Sequence, residues 1–489
     1  MKNLKLLAFD LGASNGRSIL GSYNGETVEL SETYRFENNL VDLQGTAYWD
    51  VLSLYRALLS GFAETGKITG GQIDSFGIDT WGVDYGLLDR HGKLLGNPVC
   101  YRNSLDEDMD KAWEVIPKRE LFDHTGIGSL NFNTIYQLYR RVRERDVQLA
   151  NADALLMMPD LLGYFLTGDK IMEYTNATTG MFINYKTKKM DNELLRRLGI
   201  PTYIFHEMDI AGNLRGSLYK NLADDLGLNQ VPYAAVGTHD TASAVAAIPG
   251  QGDFAFCSSG TWSLFGVETP EAIVTDNVFE NDFSNEGTVQ GGCRPLKNIM
   301  GLWLIQECRR SWQKEGKNYS WDDIVKMAEQ EPKLRTVIDP DYTEFFHAGD
   351  MPGKIRRYCE KVGEPVPEND GQIARTIYES LALKYRWAVE RLEEIKGHKI
   401  DQLNIVGGGI QNKFLNRCAA DAIERPVITG PTEGAAIGNL LMQAVALGEL
   451  GGIEDVREVV RRSVSPDIYE PQPSEAWRDA YARLLKQLE

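Results

Sequence analysis

Two short stretches, half the chain apart, do most to limit how this sequence can fold. Leu4 to Phe9 is a buried-strand run, LKLLAF, ended by Asp10; LGASNGR follows, and a second strand resumes over Ser18 to Gly21. Phe254 to Gly266, FAFCSSGTWSLFG, repeats the plan with an apolar strand, a Ser-Ser-Gly-Thr tip and another apolar strand. Each reads as a hairpin with a tip of small residues, Gly12 to Gly16 in the first. Small side chains leave backbone N–H groups open to approach, and glycine permits positive φ. Such a tip can cradle a phosphate as a backbone nest, or it can be an ordinary tight turn. Neither hairpin is decisive alone. Two of them, each opening one half of the chain, predict duplicated α/β domains facing one another, with a nucleotide's phosphate chain pinched between the tips.

The sequence has room for this. Its 489 residues exceed the roughly 250–300 at which single cores stop growing. We place the division at 247, giving domains 1–247 and 248–489 joined through the hinge IPGQGD. A net charge of −18 argues against nucleic acid, which requires a basic footprint. It does not argue against small anions held by local backbone N–H groups. The N-terminal apolar run is too short for a signal peptide, and no stretch of 18 or more apolar residues appears. No membrane association is expected, and a cytoplasmic location is. The six cysteines lack CxxC spacing and the six histidines are dispersed, so neither a zinc site nor a disulfide scaffold is expected. Nothing in the sequence sets the oligomeric state.

Between the hairpins lies VPYAAVGTHDTASAVAA, residues 231–247. Val231 to Val236 reads as a buried strand, Gly237 breaks it, and Ala242 to Ala247 suits a helix. Thr238, His239, Asp240 and Thr241 therefore fall at the carboxyl end of a strand, where ligands collect in open α/β sheets. Asp240 could accept a proton from a substrate hydroxyl, or it could simply cap the helix. Upstream, IDSFGIDTWGVDYGLLD (73–89) reads as strands Ile73 to Ile78 and Val83 to Leu88 across a Thr80-Trp81-Gly82 turn. The Trp81 indole suits packing on sugar C–H groups, Gly82 lets a substrate close in, and Asp79 and Asp84 could bond hydroxyls. Trp81 could equally be core.

The remaining chain supplies helices and loops. Asp50 is placed to cap a helix bearing Val51, Leu54, Leu58 and Phe62 at helical spacing. EYTNATTG (173–180) reads as a loop lining a cleft, 181–230 as a charged helical excursion, and NEGTVQGGC (285–293) as a glycine-rich loop. A helix is predicted from about Ile299, with Asn298 at its N-terminus and Gln306 further along. Residues 316–370 read as a peripheral loop with short helices, and Asp370 as the cap of a long helix ended by Gly397. Leu403 to Val406, Gly407-Gly408-Gly409 and a helix from Gln411 form a strand, turn and helix; the glycines let adenine or an α-phosphate lie on the backbone. No GxGxxG or GxxxxGK[ST] occurs, which disfavours a dinucleotide fold and a P-loop.

Taken in order, DLGASNGR, GIDTWGVDYGLLD, EYTNATT, GTHDTASAV, SSGTWSL, LKNIMGLWL and IVGGGIQN resemble the FGGY carbohydrate kinases of the actin/Hsp70-like ATPase superfamily over nearly the whole chain. The resemblance implies an α/β fold of two RNase H-like domains with ATP and sugar in the cleft between them. It implies Mg²⁺-dependent transfer of the γ-phosphate of ATP to the 1-hydroxyl of L-rhamnulose. L-Fuculose and xylulose are the alternative acceptors, and a non-phosphorylating actin-like ATPase is the more distant alternative. Carried over position by position, it makes Asp240 the general base. His239, Thr241, Gly82, Trp81 and Asn298 would contact the sugar. Ala13, Ser14, Asn15, Gly16, Arg17 and Thr261 would hold phosphates, Gln306 and Gly408 the nucleotide, and Asp10 would organise Mg²⁺ through water. The chain departs from the pattern at Thr238, where Ser is usual, and Cys418 has no nearby partner for a disulfide.

Overall fold

The strand Leu4–Leu11 (β1) is covered on both faces, which is why its sequence runs apolar with little alternation. Leu7, Phe9 and Leu11 enter one core with Leu54, Leu58 and Phe62; Leu6 and Ala8 enter another with Ala436, Leu440 and Leu441. The computed structural model describes residues 3–489. It divides into two units. The first holds residues up to Pro249 together with Glu268–Pro295 and Gly434–Ser465; the second holds Gly250–Val267, Leu296–Glu433 and Pro466–Glu489. The chain thus enters the first unit three times, because the apolar helix Gly434–Ala446 belongs to the second of those cores.

In the first unit, β1 pairs antiparallel with Asn15–Tyr23 (β2), which pairs antiparallel with Val28–Glu37 (β3). On its other side β1 runs parallel to Ser75–Thr80 (β4). The sheet is completed by Leu214–Ser217 (β5) and Pro232–Ala234 (β6), in the order β5-β6-β4-β1-β2-β3. The helix Val51–Thr69 (α1) starts where the Asp50 carboxylate accepts the Ser53 N–H and stops at Gly70, at φ 67°. Its Phe62 ring meets Phe9 edge-on at 4.9 Å.

The second unit repeats the pairing of the central strands. Phe254–Ser259 (β7) pairs antiparallel with Trp262–Gly266 (β8), and β8 with Cys293–Met300 (β9) over Leu296 to Met300. Gln402–Val406 (β10) and Val427–Thr429 (β11) add in parallel, and Ile468–Tyr469 (β12) closes the edge antiparallel. Ser284–Gly287 pairs beyond β9 and makes this sheet seven-stranded; within it the run β9-β8-β7-β10-β11 mirrors β3-β2-β1-β4-β6 of the first sheet, while the edge strand β12 follows β11 in the chain where β5 precedes β6.

Several expectations need correction. Asn298 lies inside β9 opposite Leu264, and the helix Trp303–Lys314 (α2) begins five residues later. Residues 296–300 supply the ladder partners of β8, so pairing overrides the cap-like look of Asn298. Residues 174–179 form a short helix, Tyr174–Thr179, in place of a loop, because the Glu173 side chain caps it. The 181–230 excursion contributes β5 to the main sheet, and the NEG segment includes a strand, Ser284–Gly287. The long helix Asp370–Lys396 takes its cap from Asn369, with Asp370 one position inside.

The helix Gly434–Ala446 packs against Asp240–Ala246 (the helix opened by Asp240) so closely that a Cβ on Gly438 would overlap the Ser243 carbonyl. Gly438→Ala therefore overpacks this seat at a cost of about 1–3 kcal/mol. A thermal melt followed by circular dichroism should show a clear fall in the first unfolding transition; an unchanged melt would mean the two helices separate without penalty.

Candidate active site

Parallel pairing of β1 and β4 puts Asp10 beside Asp79, and the antiparallel hairpin puts Arg17 opposite Asp10. The Arg17 guanidinium donates to the Asp10 carboxylate at 2.6 Å. Asp79 is fully buried; one oxygen accepts the Asn439 amide at 2.6 Å and the other, Oδ1, has no partner. Burial first, then the charges of Asp10 and Asp240, push its carboxyl well above the usual range, against the pull of Asn439. Asp79 is thus inaccessible to a substrate hydroxyl, a correction to its expected role. Beyond Asp10 the hairpin tip leaves Ser14 and Asn15 exposed, with Ala13 and Arg17 partly so.

The stretch Thr238 to Thr241 lies along the end of β4. The Thr80 N–H donates to the Thr238 carbonyl at 2.9 Å, and Thr80 bridges to His239 as a parallel strand would. Asp240 is the first residue of its helix, with His239 in the cap position, so Asp240 is not itself the cap. Its side chain keeps 33% of its exposure while its surroundings are buried. The Thr241 hydroxyl donates to Asp240 Oδ1 at 3.1 Å, and His239 Nε2 lies 3.6 Å from the same oxygen. His239 Nδ1 lies 3.2 Å from Glu286, which also accepts from the fully buried Arg294 at 3.2 Å. Burial opposes ionisation of Glu286, but His239 and Arg294 outweigh it and hold its carboxyl below the ordinary range. An anionic Glu286 is an acceptor for the Nδ1–H, which orients the ring with Nε2 toward Asp240.

The Trp81 side chain is largely core, 7% exposed, with its ring 4.1 Å from that of Trp49. Both indole N–H groups donate to Asp84 Oδ2, at 2.6 Å from Trp49 and 2.9 Å from Trp81. Asp84 is therefore occupied with holding two indoles and is buried away from hydroxyls, a second correction. Gly82 is confined by Thr179, whose side chain a Cβ would meet at 2.9 Å. Val83 follows at φ 67°, a strained region for a β-branched residue, pinned by its N–H to the Thr179 hydroxyl at 3.0 Å.

In the second unit the Thr261 hydroxyl, at the β7–β8 tip, donates to the Gln306 side chain at 3.3 Å. Gly260, Gln306, Trp321, Tyr378, Gly408 and Asn412 line a cavity of about 300 Å³. A side chain on Gly408 would meet nothing within 4 Å, whereas one on Gly409 would strike Ser259. Gly407, at φ 86°, makes the turn that separates the two roles. Asn298 belongs to this unit, with its Oδ1 unpartnered.

The expected residues thus form two groups: Asp10 to Arg17, Trp81, Gly82 and His239 to Thr241 in the first unit, and Thr261, Asn298, Gln306 and Gly408 in the second. Glu173, Glu286, Arg294 and Asn439 were missed. Asn439 and Gln443 carried a signal, being polar residues one turn apart in an otherwise apolar helix. Gln443 donates to the Leu7 carbonyl and to Asn439, and accepts from Ser75.

Two α/β sheets, each opening on a small-residue hairpin and sharing the pairing of their central strands, define the two-domain fold of a sugar kinase. The chain belongs to the FGGY family of carbohydrate kinases: the N-terminal domain model of that family matches residues 5–247 and the C-terminal domain model residues 255–447. It is 41% identical to a rhamnulokinase of Bacteroides thetaiotaomicron over 476 residues, covering 97% of each chain. It is 39% identical to a rhamnulokinase of Enterococcus faecalis, covering 98% of this chain and 97% of that one. In fold it is similar to a ligand-bound xylulose kinase from Lactobacillus acidophilus, with a TM-score of 0.82, 16% identity and coverage of 99% and 97%. Plasmodium falciparum glycerol kinase with ADP gives a TM-score of 0.81 at 13% identity, with coverage of 99% and 98%.

Burial pushes the Asp84 carboxyl up to about 7 against the pull of the Trp81 and Trp49 indoles. An unfolded Asp titrates near ~4. Between these values the native protein keeps a proton that the unfolded chain has lost, so stability falls as pH rises through the window and levels above it. Asp84→Asn does not titrate, and its carbonyl can still accept both indoles. Its melting temperature should exceed that of the wild type at pH 8, with the gap closing toward pH 5, by at most ~1.4 kcal/mol per pH unit. A gap independent of pH would show that Asp84 is ionised throughout.

Proposed function

We propose that this enzyme transfers the γ-phosphate of ATP to the 1-hydroxyl of L-rhamnulose, giving L-rhamnulose 1-phosphate and ADP. The observation that carries the reading is Asp240: an acid at a strand's carboxyl end, part-exposed among buried neighbours, in a chain similar over its whole length to rhamnulokinases. Asp240 acts as general base, accepting the proton of the attacking hydroxyl. His239, oriented by Glu286, and Thr241 bond the ketose beside it. Gly82 and the Trp81 edge border it, and the family likeness adds Asn298, whose buried Oδ1 has no partner.

The exposed tip residues Ser14 and Asn15, with their neighbours Ala13, Gly16 and Arg17, hold phosphate, as does Thr261 at the second hairpin's tip, while Gln306 and the open face of Gly408 contact the nucleotide. Phosphoryl transfer requires positioning and charge neutralisation more than covalent chemistry from the protein. Among the described residues no cluster of three His, Cys, Asp or Glu could hold a metal by itself. The residues present nonetheless fit Mg²⁺, which keeps several waters and takes one or two carboxylates plus substrate phosphates. Asp10, beside the buried and unpartnered Asp79 Oδ1, would hold it. When bound there with ATP, it would neutralise phosphate charge. Among the described residues no helix is long and apolar enough to cross a membrane; dependence on ATP goes with a cytoplasmic setting. The partners are the ketose and ATP.

The test is ADP release with Mg²⁺-ATP and L-rhamnulose, L-fuculose, D-xylulose, L-ribulose, glycerol or no sugar. Turnover should be strong with L-rhamnulose and low without sugar. Preference for another ketose moves the substrate, and equal ATP loss in every sample overturns the kinase reading. Asp240→Asn should keep its fold and ATP binding but lose about 10²- to 10⁴-fold in kcat; wild-type turnover would remove Asp240 from the mechanism.

A further inference from the structure

Glu173 is fully buried, yet a single one of its oxygens, Oε2, accepts four donors. They are the Thr175 N–H at 3.0 Å, the Thr175 hydroxyl, the Thr238 N–H at 3.1 Å and the Thr238 hydroxyl at 2.7 Å. The Thr175 hydroxyl in turn accepts the His239 N–H at 3.2 Å. The two residues preceding Asp240 therefore have their backbone N–H groups tied, directly or through one hydroxyl, to this carboxylate.

The same short helix reaches the other half of the site. The Asn176 amide donates to the Trp81 carbonyl at 3.2 Å and to the Thr238 carbonyl at 3.3 Å, touching both loops with one side chain. Thr179 holds the Val83 N–H and walls Gly82. One short helix thus connects the turn Trp81–Val83 to the loop that ends in Asp240.

We propose that Glu173 and the helix Tyr174–Thr179 form a splint that fixes the distance between the sugar-binding turn and the general base, with Glu173 a positioning residue acting on Asp240 through Thr238 and Thr175. This deepens the kinase reading and rests on it. Burying a carboxylate costs several kcal/mol unless its lone pairs are satisfied. Here one oxygen, Oε2, is satisfied by the base loop and the splint alone, while Oε1 is buried without a partner, so the carboxylate's hold rests entirely on these two threonines. An apolar replacement would leave the Thr175 and Thr238 groups without an acceptor, free to seek other partners and to carry Asp240 with them. A displacement of about 1 Å in such a geometry costs on the order of 10²-fold in rate.

The experiment compares Glu173→Leu, Glu173→Gln, Asn176→Ala and Thr238→Val with the wild type, reading kcat, KM for each substrate, and melting temperature. The wild-type sugar panel is run first and decides the substrate reading by itself; the variants are then assayed on whichever ketose the wild type phosphorylates. Glu173→Leu should lower kcat about 10²-fold, with KM for ATP within twofold of wild type. Glu173→Gln keeps a carbonyl oxygen at the accepting position and should restore most of kcat. Thr238→Val, milder than loss of the carboxylate, and Asn176→Ala should each lower kcat while both KM values hold, which keeps the test decisive if Glu173→Leu does not fold. Unchanged kcat in folded Thr238→Val and Asn176→Ala overturns the proposal. So does a fall in kcat that Glu173→Gln fails to rescue, or one that only follows loss of melting temperature and of ATP binding.

Discussion

The parallel pairing of β1 with β4 governs the first unit, because it sets Asp10 and Asp79 side by side at adjacent strand ends. Two carboxylates so placed, with Asp240 close enough to act on one of them, cannot all carry charge without help. The surroundings supply it in different ways: Arg17 neutralises Asp10, Asn439 bonds Asp79, and Asp240 retains partial access to solvent. The three acids thus sit in three different surroundings within one small region. The arrangement suits a reaction in which negative phosphate must approach and a hydroxyl proton must leave.

Buried carboxylates recur around the site, and each has its own company. Asp84 holds two indoles by one oxygen, Glu173 holds two threonines, and Glu286 lies between His239 and Arg294. None of the three is exposed enough to meet a substrate freely. Each fixes where other groups point: two indoles, two threonines, or an imidazole and a guanidinium. A site built this way is rigid where it must place an attacking oxygen, at the cost of burying charge.

The parts legible in the sequence were those written in local pattern. The two hairpins, the strand and turn before Asp240, the helix after Asp50 and the Gly407 turn all depend on neighbouring residues, and each was found within a few positions. What local pattern could not show was decided by partners far along the chain. Asn298 resembles a helix cap, but its segment is the ladder partner of β8. Asp79 and Asp84 look like hydroxyl ligands until Asn439 and the indoles claim them. Glu286 and Arg294 sit in a glycine-rich stretch that gives no periodic signal, and Glu173 matters only because Thr238 lies against it. The local elements that carry the candidate residues were therefore readable, whereas the buried groups packed around them required the fold.

The close seating of the Asp240 helix on the helix Gly434–Ala446 has a consequence for how the protein is made. The first sheet is translated early, but the helix that covers its Leu6 and Ala8 face emerges only after β11 of the second unit. Until then that face has no cover, and the helix opened by Asp240 has no seat. Folding during synthesis therefore cannot proceed as one finished unit followed by another. The second unit must be laid down as an excursion within the first, and the last closure is a long-range one, slow for reasons of chain entropy. For most of its time on the ribosome the nascent chain carries an exposed apolar surface, and its demand on chaperones follows from that order of assembly.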